Sequence, residues 1–193
     1  MVLPANLERM FVLGIDPGLS RCGYGVVEHA GARDATLASG MRPLSNARAV
    51  TAGVITTERS SPLHLRLGSL LFEVRALVEE LRPGVVVVER VFFQTNALTA
   101  MSVAQAAGVA LAVAADAGCE VAQYTANEVK QAVAGYGSAS KQQVQRMVAS
   151  LLGLDEPPRP PDVADALALA LCHVASLPIR EAVAAALDRG ERR

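Results

Sequence analysis

At 193 residues and 20.2 kDa, with 51% hydrophobic and 19% charged residues and a mean hydropathy of +0.30, the chain has the composition of one globular domain with a real core. That apolar content excludes a disordered chain, and the scatter of 15 glycines and 10 prolines excludes collagen-like and low-complexity ones. The net charge of −1 carries no overall basic signature of a nucleic-acid binder, although a local basic face offset by acids elsewhere would leave the total unchanged.

Residues 1–10 read as an N-terminal extension, without the basic start and apolar run of a secretory signal. Phe11 to Ile15 is a short apolar strand stopped by the turn Asp16-Pro17-Gly18, and Tyr24 to Glu28 pairs with it as a hairpin. Two weak β stretches follow near Thr36–Met41 and Ala52–Thr57, separated by an expected loop from Arg42 to Val50. From Pro62 to Leu81, Leu63, Leu67, Leu70, Leu71, Val74, Leu77, Val78 and Leu81 recur at a helical period. Val85 to Val88 is a run of four valines, expected for a strand buried on both faces.

A helix rich in Ala, Gly and Ser is predicted from Asn96 to Gly118. Its apolar stretch, Met101 to Ala115, falls short of the ~20 residues a membrane span needs. Val121 to Tyr124 is a further strand, after which Thr125 caps a helix to about Ala134 with Glu128 in capping-box position. A helix resumes from Ser140 to Leu152, Asp155 to Pro161 is a proline-rich connector, and Asp162 to Leu177 is a strongly apolar helix. Residues 178–193 read as a C-terminal tail, leaving 11–177 as the domain. A hairpin followed by alternating strands and helices implies a three-layer α/β fold with a mixed sheet. The three cysteines, Cys22, Cys119 and Cys172, are widely spaced, so they read as buried thiols in a soluble, cytoplasmic protein.

In such sheets ligand chemistry collects at the carboxyl ends of the strands. Asp16 follows the first strand, Glu89 follows the four valines, and Asp162 and Asp165 share one helix face. Ionised carboxylates 4 Å apart repel by about 4 kcal/mol at an effective dielectric near 20, so a converging set needs a cation or must take up protons. Oxygen donors without nearby His or Cys select Mg²⁺ or Mn²⁺, and paired ions suit phosphodiester hydrolysis.

The runs Leu13-Gly14-Ile15-Asp16-Pro17-Gly18 and Gly23-Tyr24-Gly25-Val26-Val27 resemble the start of the RuvC family of bacterial Holliday-junction endonucleases. So do Glu89-Arg90-Val91-Phe92, Val129-Lys130-Gln131-Ala132-Val133, Gly137-Ser138-Ala139-Ser140-Lys141 and Asp162-Val163-Ala164-Asp165-Ala166-Leu167-Ala168, all in family order. The resemblance implies an RNase H-like fold with a mixed five-stranded sheet. It implies a homodimer that resolves four-way DNA junctions by paired nicks in recombination and repair, with two Mg²⁺ or Mn²⁺ ions per active site. It implies metal binding by Asp16, Glu89, Asp162 and Asp165, a catalytic and DNA-binding Lys141, DNA binding by Lys130, and base stacking by Phe92 with Phe93 beside it. It also implies association with a branch-migration ATPase complex, and the helix from Asn96 to Ala115, whose small residues permit close approach, is the candidate dimer interface.

Lys130 and Lys141 are the chain's only two lysines, against sixteen arginines. An ammonium pairs with a phosphate as a point charge, or approaches an attacking water, where a guanidinium fork fits less well. Two rival readings are an actin-like ATPase, for which a second phosphate-binding half is missing, and a junction-binding protein without catalysis.

Overall fold

The computed structural model describes residues 9–30, 44, 46–91 and 97–190. Its elements are β1 (Met10–Asp16), β2 (Arg21–His29), β3 (Ala47–Thr56), α1 (Leu63–Leu81), β4 (Val85–Glu89), α2 (Ala97–Asp116), β5 (Glu120–Tyr124), α3 (Ala126–Ala134), α4 (Lys141–Leu152) and α5 (Pro161–Gly190). The strands form one mixed sheet in the order β3-β2-β1-β4-β5. β1, β2 and β3 pair antiparallel, whereas β4 runs parallel to β1 and β5 parallel to β4.

Side chains alternate across a strand, so each sheet face owns half of every strand. Leu13, Ile15, Val26, Val86 and Val88 pack with α1 and α2 on one face. Val12, Val27, Val85 and Val87 pack with α3, α4 and α5 on the other. All four valines of β4 are buried, as expected for a central strand covered twice.

α5 lies against the sheet at backbone distance because the strands beneath it lack side chains. Gly14 pairs with Gly25, and Gly23 pairs with Asp16. A Cβ on Gly14 would stand 2.0 Å from the Ala166 carbonyl oxygen, and one on Gly23 would stand 2.2 Å from that of Asp162. The bare patch thus seats the first turns of α5 over the carboxyl end of β1.

Three expectations need correction. Residues 47–50 are not loop: they pair with β2 and begin a ten-residue β3 whose alternating burial marks a one-faced strand. The stretch Thr36–Met41 lies outside the described residues. Leu63, read as part of the apolar period of its helix, is 45% exposed in the first turn of α1.

The third concerns α5, which does not end at Leu177 but runs through Pro178 to Gly190. A proline removes one helix hydrogen bond, and here an alanine-rich segment continues the helix while Arg180 pairs with Glu120 beyond it. α5 is long and apolar enough to cross a membrane by length and composition, which α2 is not, but 61% of its apolar window is buried inside the protein. It is the central helix of one core. Cys22 and Cys172 are buried free thiols, as expected, whereas Cys119 is only half-buried.

Candidate active site

Ile15 of β1 is in register with Val88 of β4. The next residues, Asp16 and Glu89, therefore end their strands side by side. Ile15 and Val88 face α1 and α2, so alternation turns Asp16 and Glu89 to the opposite face, under α5. Asp165, seated by the glycine patch, meets them from above.

These three carboxylates line one open cavity of about 360 Å³. Lys130 of α3 and Lys141 of α4 complete its wall. Both lysines are placed by capping boxes, in which a hydroxyl and the side chain three residues on satisfy each other's backbone N–H groups. Thr125 and Glu128 do so for α3, as the sequence suggests. Ser140 and Gln143 do so for α4, a pairing the sequence reading passed over, and this makes Lys141 the first helical residue.

Lys141 Nζ lies 2.6 Å from Asp165 Oδ2. Asp162 is not among the cavity-lining residues. Its Oδ2 instead accepts two hydrogen bonds from Arg21 of β2, from Nε at 3.2 Å and Nη2 at 2.9 Å. Among the described residues, no three His, Cys, Asp or Glu side chains are already gathered closely enough to enclose one ion. The four acids predicted from sequence thus share one end of the sheet, three on the cavity and one at its rim. Phe92 and Phe93 lie outside the described residues.

The electrostatics report the crowding. Burial first, then the charges of Asp165 and Glu89, push Asp16 up to about 7; Lys141 opposes this and Asp162 adds slightly to it. Burial and then Asp165 also raise Glu89, against Lys141. Partial burial favours neutral Asp162, but its hydrogen bonds from Arg21 and the nearby cations hold it below the usual carboxylate range. Burial disfavours the Lys141 ammonium, yet the hydrogen bond and charge of Asp165 outweigh that and raise it. Cations and anions here are arranged to answer one another.

The family model described as crossover junction endodeoxyribonuclease RuvC matches residues 12–173. The chain belongs to the RuvC family. It is therefore a nuclease of that family, and its sheet and flanking helices have the RNase H-like resolvase fold. A RuvC from Salinispora arenicola is 50% identical over 183 residues, covering 95% of this chain and 98% of its own. One from Moorella thermoacetica is 46% identical over 172 residues, covering 89% and 95%.

Among solved structures, RuvC of Thermus thermophilus aligns with a TM-score of 0.76 at 38% identity, covering 88% of this chain and 96% of that one. The same protein in complex with a Holliday junction substrate aligns with a TM-score of 0.76 at 37% identity. The yeast mitochondrial Holliday junction resolvase shares the fold, with a TM-score of 0.60 at 14% identity.

Two kinds of site residue escaped the sequence reading of this RuvC-family chain. One is Arg21, whose partner lies 141 positions away. The other is the glycine patch, for which the alternate glycines Gly23 and Gly25 were an available signal, since glycine inside a strand often marks a close backbone approach.

Proposed function

We propose that the chain resolves four-way DNA junctions in the cytoplasm by hydrolysing two opposed phosphodiesters, leaving 5′-phosphate and 3′-hydroxyl ends. In this reading residues 11–177 carry the nuclease, and Asp16, Glu89, Asp162 and Asp165 hold two Mg²⁺ or Mn²⁺ ions. The observation that carries it is the meeting of Asp16, Glu89 and Asp165 on a cavity walled by Lys130 and Lys141.

The donor set fits hard divalent cations: it is all oxygen, and its burial and crowding push Asp16 toward its neutral form. When bound, such ions polarise the scissile phosphate and lower the pKa of an attacking water. The protein's own groups supply the rest. Asp16 must shed its proton to serve as a donor, and neighbouring positive charge favours that loss. Lys141 is held at the cavity by Asp165, within reach of a phosphate entering there. Lys130 offers a second point charge to the backbone on the same wall. Phe92 and Phe93 follow Glu89 in the chain and are assigned to stacking on bases opened at the junction.

Two opposed nicks call for two sites related by a two-fold axis, hence a homodimer. The sequence reading placed the interface on the small residues of α2. Of these, Ala106, Ala107, Ala110 and Ala114 are buried in the chain's own core, whereas Gly108, Ala112 and Ala115 are exposed. The outer side of the packed pair α1 and α2 also exposes Leu65, Phe72 and Met101, at 58%, 69% and 55%, and we assign the interface to this side of the pair. The branch-migration ATPase complex is the partner assigned to the assembled dimer.

The test is incubation of a synthetic four-way junction and a linear duplex with the protein, with and without Mg²⁺ or Mn²⁺. Paired symmetric nicks on the branched substrate alone, dependent on the ion, are expected. Cutting of both substrates alike, or binding without cutting, refutes the reading. Light scattering should give about 40 kDa, twice the chain's 20.2 kDa, and Phe72→Glu should halve it.

A further inference from the structure

The two carboxylates at the start of α5 are held by different cations on different sides. Lys141 meets Asp165 at the cavity, whereas Arg21 meets Asp162 outside the cavity lining. Arg21 and Gly23 are two apart on β2 and so share the face beneath α5. Their effects on Asp162 differ. Gly23 lies under its backbone carbonyl and fixes where the main chain sits. Nε and Nη2 of Arg21 both converge on Oδ2 and fix where the side chain points.

We propose that Arg21 is a positioning residue for metal loading, an internal cation that keeps Asp162 turned out of the cavity until a divalent ion displaces it. The competition depends on metal concentration and on the geometry of the ion pair. The pair is half-open to solvent, with side-chain exposures of 44% for Arg21 and 26% for Asp162. Such pairs are weak, which makes Arg21 a displaceable partner rather than a permanent block. A lone acid at the rim would be drawn toward the first ion to arrive. With Arg21 in place, the site built on Asp16 and Glu89 fills first and the one requiring Asp162 fills second. The inference rests on the proposal that Asp162 is a metal ligand.

The experiment is titration with Mn²⁺ in the absence of DNA, following the electron paramagnetic resonance of the free ion. The proteins compared are wild type, Arg21→Gln, Arg21→Lys, Asp162→Asn and the double variant Arg21→Gln/Asp162→Asn, with a melting temperature taken for each. Arg21→Gln is expected to tighten the weaker class of Mn²⁺ binding about fivefold, with Arg21→Lys between it and wild type. In the Asp162→Asn background the Arg21 substitution should change nothing. Unchanged or weaker Mn²⁺ binding in Arg21→Gln overturns the role of Arg21, and a fall in melting temperature beside it marks a merely structural clamp. If Asp162→Asn by itself leaves Mn²⁺ binding unaltered, the ligand assignment fails and this inference with it.

Discussion

Replacing Asp16 with Asn should stabilise the metal-free protein, and should do so only where the carboxylate is charged. Asp16 is raised from 3.8 to about 7 by burial and by the charges of Asp165 and Glu89. The folded protein therefore binds this proton more tightly than the unfolded chain. Its contribution is fully present below about pH 4 and is lost as the pH rises through about 7. A shift of about three units corresponds to a ceiling of about 4 kcal/mol, which solvent access and salt reduce to about 2–4 kcal/mol. Asn keeps the shape without the charge.

Urea unfolding in a chelator should thus show Asp16→Asn and wild type nearly equal at about pH 3.5, and the variant more stable by about 2–4 kcal/mol at about pH 8. In a thermal scan near pH 8 the gain amounts to about 5–15 °C for a chain of this size. Adding Mn²⁺ should raise the wild-type midpoint and close most of the gap, because the ion binds only the folded state. Junction cleavage by the variant should vanish. A stability difference that is the same at both pH values refutes the claim that burial and like charges together raise Asp16.

Two further substitutions probe how the site is placed. Gly23→Ala puts a Cβ 2.2 Å from the Asp162 carbonyl oxygen, so it should lift the start of α5, cost about 1–3 kcal/mol in urea unfolding and weaken Mn²⁺ binding. A cost below about 0.5 kcal/mol shows that α5 has room to move there. Lys141→Ala removes the ammonium 2.6 Å from Asp165 and should slow single-turnover junction cleavage about 10–100-fold, with junction affinity changed by less than about threefold. An unchanged single-turnover rate dismisses Lys141 from the chemistry.

Much of the site was legible in one dimension because its signals are local. The four valines announced a doubly covered strand, which put the acid after them at the carboxyl end of an inner strand. Thr125 and Glu128 announced a helix start that sets the position of Lys130. What failed did so where local signals are weak. Ala47–Val50 is unremarkable by composition and became strand only by pairing with β2. Pro178 looked like a stop, and the helix beyond it is tied down by a contact with β5 that the local sequence does not contain.

The sequence by itself determined the chemistry on offer: four acids and two lysines in the order of one nuclease family, on elements whose types follow from period, capping and turns. Tertiary structure decided how those groups are deployed. The β1–β4 register turned Asp16 and Glu89 toward α5, the paired glycines let α5 descend until Asp165 joined them, and Arg21 took hold of Asp162. Identity is local, whereas electrostatic partnership depends on distance in space, and residues 141 apart in the chain become partners only once the sheet and helix are packed.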